Sequence, residues 1–187
     1  LHTWSLAVEE QYYVLFPIFL ILTWRFGKER VFWMIVLMTV ISFLLSEWGW
    51  RNKANANFYL APTRAWELFA GSIAAFVAQK KGIKSNNLAA TLGLVGILYS
   101  FLFYDSSTPF PSAYTLVPVI GVVLIVLYAD AKTLVAKLLS NKILVGIGLI
   151  SYSAYLWHQP LFSYTRHITN QIHIGYETRF LLILFTF

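Results

Sequence analysis

Three stretches of this 187-residue chain hold side chains able to exchange protons or stabilise charge. The first is Leu1–Tyr13, LHTWSLAVEEQYY, which sets Glu9 and Glu10 side by side at the head of the apolar run Val14–Thr23. Helical spacing groups Ser5, Glu9 and Tyr12 or Tyr13 on one face, and Leu6, Glu10, Tyr13 and Pro17 on its neighbour. An acid at the centre of a bilayer helix costs about 2.5–3.5 kcal/mol, and such residues turn to a protein interior or a wet cavity. Glu10 stands only about 7 Å inside the span at helical rise. A purely structural reading also fits, because acids near a helix N-terminus complement its dipole. Two acids followed by two tyrosines nevertheless form a polar cluster that needs partners.

The second stretch is Phe58–Ala75, FYLAPTRAWELFAGSIAA. Pro62 and Thr63 mark a helix start. Arg64 and Glu67, at i and i+3, can pair, and a surface ion pair would explain them without any activity. Ala70, Ala74 and Ala78 repeat every four residues, with Gly71 and Ala75 beside them. Such a small-residue face lets a second helix approach closely, so Glu67 is expected in a helix contact or cavity.

The third stretch is Ile150–Phe162, ISYSAYLWHQPLF. Ser151, Tyr155, His158 and Phe162 share one helical face. Pro160 frees a backbone carbonyl one turn earlier, which polar neighbours must satisfy. Imidazole can pass protons near neutral pH, although a buried His can equally be a structural hydrogen-bond partner. His2, His167 and His173 show no metal-ligand spacing, and no metal is expected.

The elements that must position these residues follow from composition. The chain is 58% hydrophobic and 12% charged. A soluble domain is about a quarter charged, so the lipid bilayer is the expected environment. Cys is absent, which excludes disulfides, a thiol nucleophile and Cys-based metal sites. Six apolar segments are legible, at 6–24, 31–46, 64–78, 88–104, 114–129 and 143–165, and a seventh starts near Arg179. The expected fold is all-α: a polytopic transmembrane helical bundle, six complete spans and the start of a seventh, in one domain over 1–187. The segment 133–139 reads as a short interfacial helix.

The net charge of +6 does not point to nucleic acid. Loops 25–30, 79–87 and 130–142 carry nine Lys and Arg residues, whereas the alternate loops carry Arg51, Lys53, Arg166 and Arg179. That alternation is the positive-inside pattern and puts the first set in the cytoplasm. Glu9 and Glu10 then lie at the outer end of the first span. Trp48, Trp50, Phe58 and Tyr59 fit an interfacial aromatic belt. With no initiator Met and an apolar end at Phe187, an internal piece of a longer protein is expected.

Together the three stretches resemble the membrane acyltransferase-3 family, bacterial O-acyltransferases that modify surface sugars. HTWSLAVEEQYYVLFP at 2–17 is similar to its W-S-L-x-x-E-x-Q-[FY]-Y segment. FYLAPTRAWELFAGSIAA at 58–75 is similar to T-R-x-W-E-L-x-x-G, and SYSAYLWHQP at 151–160 to S-Y-x-x-Y-L-W-H-x-P, with Gln159 where Trp is common. The resemblance implies a multi-pass protein of the bacterial inner membrane. It implies acyl-CoA, with acetyl-CoA the expected case, as co-substrate on the cytoplasmic side, no bound cofactor, and a carbohydrate acceptor at the outer face. The family's early H-x-x-x-P segment, whose His is the favoured catalytic residue, and its R-x-x-R segment are missing here. Both are expected upstream of Leu1, so this piece alone is expected to be inactive.

O-acylation needs a base, charge stabilisation for the oxyanion and a positioned acceptor. With the base implied upstream, Glu10, Glu67 and His158 are the expected supporting catalytic residues. Glu9, Tyr13, Arg64, Trp66, Ser151 and Tyr155 are the expected substrate-binding residues. The alternative is a membrane carrier for a lipid-linked sugar or ion, with the same charges lining a path, or a partner subunit without a site.

Overall fold

The computed structural model of the protein describes residues 4–105 and 108–169. Its described residues are helical and contain no strand. In order they form α1 (Trp4–Thr23), α2 (Lys28–Asn52), α3 (Ala54–Tyr59), α4 (Ala61–Lys81), α5 (Asn87–Phe103), α6 (Leu116–Tyr128), α7 (Leu134–Leu139) and α8 (Lys142–Thr169). The six apolar segments read from the sequence correspond to α1, α2, α4, α5, α6 and α8, and the short helix expected at 133–139 is α7. Helix α3 falls in a stretch read as loop. The run beginning near Arg179 lies outside the described residues, as do His2 and His173.

The helices follow from apolar composition, which rewards a backbone that satisfies its own hydrogen bonds. Their ends are set locally. Gly27, at φ 91°, stops the 3-10 turn after α1, and Gly82, at φ 71°, ends α4. Side chains other than Gly resist both conformations. Asn86 caps α5 by accepting the Ala89 N–H at 3.2 Å.

The chain forms two compact units, one of residues 4–137 and one containing residues 138–169. In the first, α2 and α4 pack together, α1 lies on α4, and α5 pairs with α6, which also reaches α4. Val31 and Ile35 of α2 and Phe69 of α4 are buried together, with Tyr12, Phe16 and Phe19 of α1 packed against them. Ser42, Ser46 and Gly49 make a small, buried stripe along α2. The Ser42 hydroxyl accepts the Trp66 N–H at 2.9 Å and donates to the Pro62 carbonyl, so one side chain pins the start of α4 to α2. Between α5 and α6 the approach is closer still. A Cβ on Gly93 would strike the Gly121 carbonyl oxygen, and one on Gly121 the Gly93 carbonyl. Small residues thus set helix spacing here, at a place where the sequence had drawn attention only to α4.

Among the described residues, two helical segments are long and apolar enough to cross a membrane, Leu6–Phe26 and Lys28–Asn52. Helices α5 and α6 are apolar but shorter. Large apolar side chains stand exposed along α1, α2 and α5, such as Ile21, Leu37 and Phe101. Lipid, and not water, suits surfaces of that kind.

The second unit contains α8, a 28-residue helix with Pro160 inside it.

Candidate active site

Helix α4 carries the ion pair that the sequence spacing suggested. Arg64 Nη2 lies 3.7 Å from Glu67 Oε2, with the two side chains only 13% and 18% exposed. A pair this sheltered gains more from its own attraction than a surface pair does, and losing one member leaves a stranded charge. The second Glu67 oxygen, Oε1, is buried and meets no hydrogen-bond partner among the described residues. A carboxylate oxygen only accepts, so Oε1 is suited to a guest that brings a hydroxyl or N–H. The Arg64 guanidinium also faces the Phe110 ring, 4.9 Å from its centroid.

The corner before this pair is held by α3. The Thr63 hydroxyl lies 2.6 Å from the Asn57 carbonyl and 2.9 Å from the Leu60 carbonyl, bridging α3 to the first turn of α4. Trp66 does not line an open site. It is 2% exposed, packs edge-on to Phe43 at 5.2 Å, and braces α4 against α2.

On α1 the two tyrosines part company. Tyr12 turns inward, stacks on Phe16 at 4.8 Å, meets Phe69 edge-on at 5.5 Å, and hydrogen-bonds the Ser72 hydroxyl at 2.5 Å. Glu9, Glu10 and Tyr13 remain exposed on the other faces of the helix. The unit of residues 4–137 therefore uses Tyr12 for packing and leaves the acid pair open. Beside Tyr12 is an apolar cavity of about 450 Å3 bounded by α1, α2 and α4, with Val8, Phe16, Leu45 and Pro62 in its wall. None of Glu9, Glu10, Arg64 or Glu67 lines it.

At the opposite ends of α2 and α4 a second cavity, of about 680 Å3, is lined by Lys28, Glu29, Trp33, Phe76, Lys80 and Lys81 among others. Lys80 reaches Glu29 at 3.1 Å, with both side chains largely exposed, so this pair holds little energy. Three ammonium groups beside aromatic rings can receive a phosphorylated, ring-bearing molecule.

On α8, Ser151, Tyr155 and His158 occupy one side as their spacing requires. His158 Nδ1 lies 2.6 Å from the Tyr155 carbonyl oxygen. A carbonyl only accepts, so Nδ1 donates in this contact. The ring lies 5.6 Å from Tyr155 and edge-on to Phe162 at 6.4 Å. The Ser151 hydroxyl donates to the Gly148 carbonyl at 2.7 Å. Among the described residues, no three His, Asp or Glu side chains come together as metal ligands.

Compared with known proteins, residues 1–187 match throughout a family described as an acyltransferase domain. The chain belongs to this acyltransferase family. It is 28% identical over 180 residues to the peptidoglycan O-acetyltransferase OatA of Listeria monocytogenes, a match that covers 87% of this chain and 28% of that protein. It is 31% identical over 175 residues to the O-acetyltransferase OatA of Staphylococcus aureus, covering 86% of this chain and 29% of that one. The chain thus spans about a third of the length of the curated relatives it matches. No solved structure matches it.

Within this acyltransferase domain, sequence reasoning found the Arg64–Glu67 pair and the His158 face. It passed over Glu47, Asn57 and Phe110. Glu47 Oε2 accepts the Ala113 N–H at 3.0 Å, and the Asn57 amide donates to the Pro111 carbonyl at 3.1 Å. Both contacts join α2 and α3 to a segment more than fifty positions later, and no local spacing signals such a partnership.

Proposed function

We propose that this chain is part of an integral-membrane O-acyltransferase that moves an acetyl group from acetyl-CoA to a hydroxyl of a cell-envelope carbohydrate. The observation that carries the reading is the sheltered Arg64–Glu67 pair, with an unpartnered carboxylate oxygen, inside a chain of the acyltransferase family. The named activities of the relatives supply the acetyl group, and the Listeria relative supplies a peptidoglycan glycan as the kind of acceptor.

In this reading the protein is a multi-pass component of the bacterial inner membrane, with α1 running from outside to inside. Loop charge supports that orientation. The cavity with Lys28, Lys80 and Lys81 then opens at the cytoplasmic side, where its cations and aromatic rings would receive the phosphates and adenine of the donor. The Arg64–Glu67 pair stands at the outer end of α4 and receives the acceptor.

Transfer breaks the acyl carbon–sulfur bond and forms an acyl carbon–oxygen bond. The acceptor hydroxyl proton passes to a base, and the departing thiolate takes up a proton to leave as free CoA. A histidine upstream of Leu1 is the base that the resemblance implies. Glu10, with Glu9, orients or charges that base, and Tyr13 lies beside them on α1. Glu67 accepts a hydrogen bond from the sugar, and Arg64 pairs with Glu67 and offers positive charge to the developing oxyanion. Trp66 keeps this turn of α4 fixed. His158, anchored through Nδ1 to the Tyr155 carbonyl, relays protons, and Tyr155 and Ser151 hold its helix face.

The test is glycan analysis of cells with and without the full-length gene, reading ester-linked acetate released by mild alkali. Loss of envelope acetate on deletion, and its return with the intact gene, is expected. Unchanged acetate in the deletion strain would overturn the proposal.

A further inference from the structure

The segment Thr108–Thr115, between α5 and α6, is fastened over the start of α4 from several directions. Glu47 at the end of α2 accepts the Ala113 N–H, and Asn57 of α3 donates to the Pro111 carbonyl. The Tyr104 hydroxyl donates to the Tyr114 carbonyl at 3.0 Å. Ser112 and Thr115 close a reciprocal cap within the segment itself. These contacts fix Phe110. Its ring lies over the Arg64 guanidinium and meets Phe58 edge-on at 6.1 Å. Phe110 is nevertheless 42% exposed, beside an ion pair that is nearly buried.

Packing on a guanidinium accounts for one face of the Phe110 ring. It does not account for anchoring an apolar ring from α2, α3 and the residue after α5 while leaving much of it open beside the Arg64–Glu67 pair. A pyranose has the complementary shape: C–H bonds on one face, hydroxyls around its edge. The C–H face suits the electron-rich face of an aromatic ring, and an edge hydroxyl can donate to Glu67 Oε1. A bare phosphate offers acceptors to an acceptor and does not fit.

We propose that Phe110 is an acceptor-binding and specificity-determining residue, receiving the apolar face of the sugar whose edge hydroxyl reaches Glu67. Asn57 and Glu47 are positioning residues that hold the Phe110 segment in place. The inference rests on the carbohydrate acyltransferase reading given above.

The test uses the full-length protein in native membranes, labelled acetyl-CoA, and soluble oligosaccharides released from peptidoglycan. Phe110→Ala is expected to raise the acceptor KM about five- to tenfold, the size of one aromatic contact. The kcat and the acetyl-CoA KM should stay within about twofold, and Phe110→Trp should keep the acceptor KM near the wild-type value. Phe110→Leu keeps apolar bulk without an aromatic face and should behave as Phe110→Ala, which guards against a folding defect in the smaller variant. Equilibrium binding of the same oligosaccharides, measured without donor, should weaken by the same factor. An unchanged acceptor KM and unchanged binding in the Leu variant would overturn the inference and leave the acyltransferase reading intact. Wild-type protein that binds the oligosaccharides but transfers no acetyl would overturn that reading and leave the binding role standing.

Discussion

The Tyr12 hydroxyl on α1 meets the Ser72 hydroxyl on α4 at 2.5 Å. This contact, with the Tyr12–Phe69 edge contact below it, sets how the helix bearing Glu9 and Glu10 lies on the helix bearing Arg64 and Glu67. The relationship is energetic as well as geometric. A hydrogen bond between half-buried hydroxyls contributes about 0.5–1.5 kcal/mol.

Tyr12→Phe and Ser72→Ala are each expected to lower stability by about 1 kcal/mol. The double variant should cost clearly less than the two single losses together, because both remove the same contact. Thermal unfolding of the detergent-solubilised full-length protein measures this. Strictly additive losses would show that the hydroxyls do not interact.

The α5–α6 contact predicts a contrast between glycines. Gly93→Ala places a Cβ against the Gly121 carbonyl, and overpacking of this kind costs about 1–3 kcal/mol. A Cβ on Gly146 in α8 would meet nothing within 4 Å among the described residues, so Gly146→Ala should stabilise by about 0.5–1 kcal/mol through helix propensity. The same unfolding measurement compares them. A harmless Gly93→Ala would mean that the two helices do not touch at these glycines.

The lysine-lined cavity predicts a donor-specific defect. Removing one ammonium group near a phosphate weakens binding by about 1 kcal/mol, or about fivefold, in the ionic range typical of partly exposed pairs. Lys80→Ala with Lys81→Ala should therefore raise the acetyl-CoA KM by about tenfold or more, with the acceptor KM unchanged. The loss should shrink at high salt as screening weakens the wild type too. Equal acetyl-CoA KM values for variant and wild type would place the donor elsewhere.

Much of this architecture was legible because a bilayer chain advertises its helices by composition. The bounds of α5 and α6 follow the apolar runs closely. The i, i+3 spacing of Arg64 and Glu67 announced their pairing, since neighbours on one helix face meet whatever the tertiary fold. The rest depends on partners far away in sequence. Tyr12 and Tyr13 are equivalent on paper, and only the arrival of Phe69 and Ser72 decides which turns inward. Helix α3, ANANFY, has too short an apolar pattern to be recognised, and Thr63 supports it from the next element. The polar stripe Ser42, Ser46 and Gly49 looks like an ordinary interruption of a hydrophobic run until Trp66 and Asn57 pack on it.

Glu67 is the proposed partner of the acceptor. Glu67→Gln keeps the shape of the side chain but removes the charge that pairs with Arg64. The measurement is alkali-released acetate on the envelope glycan of cells carrying Glu67→Gln or wild-type full-length protein at equal membrane abundance. Loss of a charge-assisted hydrogen bond corresponds to about 1.5–3 kcal/mol, so the variant should leave at most about a tenth of the wild-type acetate when the transfer step limits the yield. Acetate equal to wild type at equal abundance would contradict the placement of the acceptor site on α4.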